Sequence, residues 1–248
     1  MGGSKVGAPE HLIIKGKRLD GRAPGDFRPI TTDVGVLGHA KGSAVFRFGN
    51  TWAMAGVMGP HEMHPKGLQD PANATLRTRY FMAPFSTWER SRPGMSRRST
   101  EISKVIKEAM QQVLFLEEYP KTAIDLYMEI LQADASTRIA AINAASMAMA
   151  DAGIPMRDLI SAVSVGRADG VLILDVAGLE DNFGDVDMAV ATVADKDQFV
   201  LLQVDGIITR KEFETLLGMA RKGIAEVYRK QKEALIRRYP GATMEAVQ

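Results

Sequence analysis

The sequence contains no cysteine. That excludes disulfides, thiolate nucleophiles, iron–sulfur clusters and cysteine-ligated zinc together. Histidine is scarce as well: there are 4, and only His61 and His64 stand close in sequence. Their spacing would suit a metal, but no third ligand accompanies them, so the pair reads as part of a loop. No apolar run is long enough to span a bilayer, and the segment Met1-Gly-Gly-Ser-Lys-Val-Gly-Ala8 lacks the apolar stretch of a signal peptide. A cytoplasmic location without a membrane partner is the expectation. Neither sign of charge dominates. With 31 basic and 30 acidic residues the net charge is +1, so binding to a polyanion would have to come from local patches. Apolar material is ample: 46% of 248 residues are hydrophobic, enough for one large core or two small ones.

The chain is organised around Ile124–Asp151. Ile124, Leu126, Met128 and Ile130 alternate with Asp125, Tyr127 and Glu129, the period of a strand. After Ala133-Asp-Ala-Ser-Thr137 an alanine- and methionine-rich segment, Ile139–Ala150, predicts a helix closely packed on a sheet, stopped by Gly153 and Pro155. Ser136 and Thr137 fall at its N-cap, with Arg138 beside them. A strand feeding a helix that begins with hydroxyls, free N–H groups and an arginine is a candidate anion site; an ordinary capped helix has the same signature.

Upstream, residues 1–10 read as disordered and Arg18–Pro29 as a structured, arginine-rich loop. Short strands are predicted at Ile30–Leu37, Ser43–Phe48 and Thr51–Met58, the last ended by Gly59-Pro60. His61–Thr75 reads as a long loop containing Lys66, followed by a strand at Leu76–Pro84. A helix follows from about Arg97, its apolar spacing carried by Ile102 to Leu114 and closed by Tyr119-Pro120. Arg97 and Arg98 at its start oppose the helix macrodipole by roughly 0.3–1 kcal/mol each. Either an anion or carboxylates elsewhere would relieve that conflict.

Downstream, a hairpin is predicted over Leu159–Ala177, then an acidic stretch, Glu180–Asp187, of the kind usually found in solvated loops. Asp187 stands apart because it heads the apolar strand Met188–Val193, where a carboxylate is either paired or working. A strand at Gln198–Val204 turns at Asp205-Gly206, and the capping box Thr209…Glu212 opens a helix to about Tyr239. The basic residues of that helix's far half read as a solvated face.

Taken in order, Arg18-Leu-Asp-Gly-Arg22, Arg28-Pro-Ile30, Gly42-Ser-Ala44, Ser96-Arg-Arg98, Glu101-Ile-Ser-Lys104, Leu131-Gln-Ala-Asp134, Asp151–Asp158 and Glu180-Asp181…Asp187 resemble the RNase PH family of phosphorolytic exoribonucleases. The resemblance runs from about Arg18 to Tyr239. Tyr80–Thr87 and Ser96–Ile106 are most similar to the catalytic ring subunits of archaeal exosomes. It implies an α/β (α+β) RNase PH fold, ribosomal protein S5 domain 2-like, with two βαβ-type halves of mixed sheets and packed helices. The expected division is a flexible segment at 1–17, a first half at 18–151, a second at 152–240 and a flexible tail at 241–248.

The resemblance also implies a reaction: inorganic phosphate, a co-substrate, attacks the last phosphodiester of a single-stranded RNA 3′ end and releases a nucleoside diphosphate. Residue by residue, Ser136, Thr137, Arg138 and Arg98 would hold phosphate, and Arg97, Arg98, Arg138 and Lys66 would contact RNA. Asp187 and Asp181 would be the catalytic carboxylates, as acid or as ligands of Mg²⁺. Expected partners are a related inactive subunit alternating in a hexameric ring and RNA-binding cap proteins. Two departures stand out: Ser136 where the family usually has glycine, and Lys66 where arginine is common. A homo-hexameric bacterial-type enzyme trimming transfer RNA and a non-catalytic ring subunit are the alternatives; retention of Arg97, Arg98, Arg138 and Asp187 speaks against the last.

Overall fold

The computed structural model describes residues 9–193 and 198–241. The chain opens on a hairpin, β1 (Ile13–Ile14) and β2 (Lys17–Arg18), turning through Lys15 and Gly16, both at positive φ. Leu12 is buried beside Ala168, Ile173 and Val176, and its N–H donates to the Asp169 carboxylate at 2.6 Å. The segment expected to be flexible through residue 17 is therefore pinned from Leu12 onward. Residues 1–8 of that segment, and 242–248 of the expected tail, lie outside the described residues.

The first sheet comprises β3 (Ile30–Val34), β4 (Gly42–Phe48), β5 (Thr51–Glu62), β6 (Thr75–Met82) and β7 (Thr122–Gln132), in the order β3-β4-β5-β7-β6. It is mixed, because β6 runs parallel to β7 while the other pairs are antiparallel. Two boundaries differ from the sequence reading. β3 stops before Leu37, since Gly35 takes φ 72°. β5 does not end at Gly59-Pro60: its pairing with β7 slips between Met58 and His61, and a slip admits a proline that has no N–H to give. His61 and Glu62 are consequently strand residues rather than loop.

Helix α1 (Arg97–Gln111) packs on β6 and ends well short of Tyr119. Helical spacing persists through Val113 and Leu114, but their backbones pair elsewhere: Val113 accepts from Arg157 N–H at 2.8 Å and Leu114 bridges Met156. Helix α2 (Thr137–Asp151) lies between the two sheets, with every residue from Ile139 to Met149 buried. A helix apolar on all sides belongs inside, and alanine lets strands approach it closely. Gly42 on β4 shows how closely: a Cβ there would lie 2.1 Å from Ala152 N.

The second sheet is antiparallel throughout, in the order β11-β10-β8-β9. Its strands are β8 (Ile160–Ala168), β9 (Val171–Leu174), β10 (Val186–Val193) and β11 (Gln198–Gly206), with the short helix α3 (Gly178–Phe183) between β9 and β10. β11 does not turn at Asp205-Gly206; both residues remain paired to β10. Helix α4 (Arg210–Arg238) opens on the Thr209/Glu212 capping box and buries Leu216, Ala220, Ile224 and Val227 against the second sheet and β3. Arg229 on its outer face pairs with Glu226 and Glu233, as a solvated face does. Among the described residues no helix is long and apolar enough to cross a membrane.

Candidate active site

The turn between β7 and α2 uses two consecutive residues at positive φ, Ala135 at 58° and Ser136 at 53°. A side chain held there costs about 1–2 kcal/mol. Ser136 occupies the N-cap position, but its hydroxyl does not cap the helix. It donates instead to the Val176 carbonyl at 2.8 Å and meets Ser164 Oγ at 2.8 Å, while Ser164 Oγ accepts from Val176 N–H at 3.1 Å. The hydroxyl thus ties the left-handed turn to the second sheet, offsetting the strain that glycine would avoid. This corrects the reading of Ser136 as a capping serine: its hydroxyl is committed to the second sheet.

A left-handed residue leading into a helix turns successive N–H groups toward one point, a nest for an anion, and the first-turn groups have no intrahelical acceptor. Thr137 is 4% exposed with its hydroxyl beside that of the buried Tyr80, and Nε of Arg138 has no hydrogen-bond partner. Orphaned buried donors cost about 1–3 kcal/mol each and mark a surface made for a polar ligand. Arg138 is aimed by its other nitrogens, Nη1 donating to Gln203 Oε1 and Nη2 to Glu101 Oε1 at 3.3 Å.

These groups line a cleft of about 270 Å³ with Arg98, Asp181, Asp187 and Asp205. Arg98 enters from the first turn of α1, which Ser96 caps through a bond from Ser99 N–H. Neither Arg97 nor Arg98 has a close ion pair among the described residues; the charge of Arg98 is offset only at longer range, by the Asp181 and Asp187 carboxyls across the cleft. Asp187 sits at the head of β10, directly across the antiparallel pair from Asp205 on β11, and Asp181 comes from α3. Burial, followed by the charges of Asp181 and Asp205, pushes the Asp187 carboxyl up to about 6 against the pull of Arg138 and Arg98. Asp181 is raised too, mainly by burial.

Beneath the cradle lies a layer of paired arginines. Arg28 donates to both oxygens of Asp175, at 2.9 and 2.6 Å, and to the Asp134 carbonyl inside the β7–α2 turn. Thr51 Oγ1 donates to the Ala135 carbonyl at 2.8 Å. Arg18 is buried against Glu180, so the acidic stretch is not a solvated loop: its first carboxylate anchors α3, from which Asp181 projects. The sequence matches the 3′ exoribonuclease family, domain 1 over residues 26–155 and domain 2 over residues 158–223.

The chain belongs to the RNase PH family of 3′ exoribonucleases. Among its relatives, the exosome complex component Rrp41 of Pyrococcus furiosus is 53% identical over 234 residues, covering 93% of this chain and 94% of that protein. Rrp41 of Thermococcus onnurineus is 51% identical, covering 94% and 95%; Rrp41 of Archaeoglobus fulgidus is 49% identical, covering 93% and 91%. The fold matches the crystal structure of rice Rrp46 with a TM-score of 0.78 over 88% of this chain and 99% of that one, at 23% identity.

Within this RNase PH fold the cleft gathers Arg98, Ser136, Thr137, Arg138, Asp181 and Asp187 from α1, the β7–α2 turn, the start of α2, α3 and β10. Arg97 is exposed at the first position of α1 and does not line the cleft. Lys66 lies apart, exposed in a 3₁₀ turn and 3.5 Å from Glu62. Sequence reading missed Asp205, assigned to a turn, and the positioning roles of Arg18 and Arg28. Pairing the two strands antiparallel from Val193 and Gln198 would place Val204 opposite Asp187; the register shift at Ala191/Thr192 brings Asp205 there instead, and no local signal marks it.

No group of three or more His, Asp or Glu among the described residues is arranged to hold a metal by itself. Mg²⁺, however, takes one or two carboxylates and completes its shell with water and substrate phosphates. Asp181 and Asp187, beside the donors of Thr137, Arg138 and Arg98, fit that pattern.

Proposed function

We propose that this chain is the catalytic subunit of an archaeal-type exosome ring, a phosphorolytic 3′-to-5′ exoribonuclease. The observation that carries the reading is the convergence of the Arg98 and Arg138 guanidiniums and the Thr137 hydroxyl on one cleft with a carboxyl, Asp187, pushed up to about 6. Phosphate attack on RNA brings two anions together, and such a site needs positive charge and N–H donors converging on one place. Inorganic phosphate seats on the N–H groups opening α2, the Thr137 hydroxyl and Arg138. Arg98 engages the RNA phosphate beside it, and Arg97 the next along the strand.

An oxygen of inorganic phosphate attacks the last internucleotide phosphorus. The new P–O bond forms as the bond to the penultimate 3′ oxygen breaks, and Asp187 gives that oxygen its proton. The products are a nucleoside diphosphate and an RNA one residue shorter with a free 3′ hydroxyl. Read backwards, the same steps add tails from nucleoside diphosphates. In the alternative role, Asp187 would be ionised and would hold Mg²⁺ together with Asp181, the ion neutralising phosphate charge in place of the proton.

The proposed assembly is a cytoplasmic hexameric ring in which this chain alternates with a related inactive subunit, RNA-binding cap proteins covering one face. Lys66 then contacts RNA in the central channel. The test supplies end-labelled single-stranded RNA, with and without inorganic phosphate, to the chain alone and with such a subunit. Phosphate-dependent release of nucleoside diphosphates is expected. Release of monophosphates without phosphate, or no release from the assembled ring, overturns the reading.

A further inference from the structure

Between β6 and α1 the chain makes an excursion, residues 83–96, whose side chains the cleft chemistry leaves unused. Its shape is held by its own bonds. Ser86 N–H donates to the Ala83 carbonyl at 2.9 Å, Ser91 N–H to the Pro84 carbonyl at 3.0 Å, and Thr87 Oγ1 meets Ser91 Oγ at 2.9 Å. On this frame Trp88 is fully exposed, and Phe85 and Met95 are 75% and 76% exposed. Arg90 and Arg92 are exposed between them, without an ion pair among the described residues. From Glu89 to Arg98 there are 4 arginines and one carboxylate, a local charge that the balanced whole conceals.

A single exposed apolar side chain is ordinary. Aromatics interleaved with unpaired arginines are the composition of a surface that stacks bases and follows a phosphate backbone. Both ends of the excursion abut the cleft. Ala133 N–H donates to the Ser86 carbonyl at 2.8 Å, which lays Phe85–Thr87 beside the turn carrying Ser136. The other end passes through Ser96 into α1, whose Arg98 lines the cleft.

We propose that residues 85–97 form a stacking track for the nucleotides just upstream of an RNA 3′ end. Trp88 and Phe85 each receive a base, and Arg90, Arg92 and Arg97 follow the phosphates. The proposal rests on the phosphorolytic reading above and adds a binding surface to it.

The chain has 2 tryptophans, and Trp52 is covered by the Arg47 guanidinium 4.0 Å from its ring. Trp52→Phe therefore leaves Trp88 as the sole tryptophan of this chain, and its signal is the difference between that assembly and the same one also carrying Trp88→Phe. Titration with a single-stranded oligoribonucleotide is expected to quench its emission, because a base stacks on it. Trp88→Ala is expected to weaken RNA affinity by about fivefold or more, with Trp88→Tyr restoring most of it and Trp88→Leu little. Unchanged emission on RNA binding, or Trp88→Leu binding as tightly as the natural chain, overturns the track. Normal RNA affinity with a dissociated ring in Trp88→Ala makes the surface a protein interface and also overturns it. Phosphate-dependent nucleotide release by the unsubstituted assembly, measured alongside, reports on the catalytic reading separately.

Discussion

Arg28 is 6% exposed, and its guanidinium is engaged by Asp175, the Asp134 carbonyl, Thr51 and the Val176 carbonyl. Arg98, in the cleft above, is exposed and has no ion pair among the described residues. Arg138 stands between these extremes, aimed by Gln203 and Glu101 yet with Nε unused. The gradient follows position. Arg18 and Arg28 under the cleft have all their guanidinium nitrogens engaged, so they fix backbone; arginines facing the cleft keep spare donors, so they can bind. A satisfied buried arginine is expensive to break, because removing it strands its carboxylate partner. An unsatisfied surface arginine contributes little to folding and much to function.

The largest expected effect lies on the cleft side. Asp187→Asn should lower nucleoside diphosphate release by about 10²–10⁴-fold, the usual reach of a positioned proton donor, while RNA still binds in a gel-shift assay. Near-normal turnover would remove Asp187 from its role. Arg98→Ala and Arg28→Ala then separate the two layers. Arg98→Ala should cost roughly 10²–10³ in rate and leave stability within about 0.5 kcal/mol. Arg28→Ala should cost about 3–5 kcal/mol in a denaturant titration. Equal losses of stability would erase the distinction.

The carboxyls should show the reverse trade, function held at the expense of stability. Asp187 is raised to about 6 from 3.8, so the folded state holds its proton more tightly than the unfolded chain. Its unfavourable contribution therefore grows as pH rises from about 4 to about 6 and stays constant above. In metal-free, phosphate-free buffer Asp187→Asn should be about 1–3 kcal/mol more stable than the natural chain at pH 7. That gain should vanish below about pH 4; a gain independent of pH would point to packing instead. Smaller again, Arg97→Ala combined with Arg98→Ala should flatten the salt dependence of RNA affinity by roughly 0.7 per lost phosphate contact. Ser136→Ala, which breaks the tie to Val176 and keeps the strain, should cost about 1 kcal/mol in thermal unfolding.

Much of this was legible along the chain. The alternation of Ile124 to Ile130, the alanine-rich run after Arg138 and the Thr209/Glu212 box each specify their element locally, since period and capping are properties of neighbours in sequence. Thr137, Arg138, Arg98 and Asp187 could be singled out because each breaks or marks a local rule at the start of a helix or strand. Motif order supplied the family, which periodicity alone does not reach. The end of α1 was not legible, because Val113 and Leu114 keep helical spacing while their backbones pair with residues 155–157.

What the sequence by itself determined is the strands of the two main sheets and the three long helices, the alanine-rich one among them, with the residue types available at their starts; the β1–β2 hairpin and α3 were not among them. Tertiary structure decided which of the arginines are structural and which are free, because that depends on carboxylates more than a hundred residues away: Glu180 for Arg18, Asp175 for Arg28. It also decided that Asp205 faces Asp187, which follows from strand register, and that Ser136 is strained and tied rather than capping, which follows from the approach of Ser164 and Val176. Local patterns encode conformation; the charge state and spare valence of a side chain are set by what the fold brings beside it.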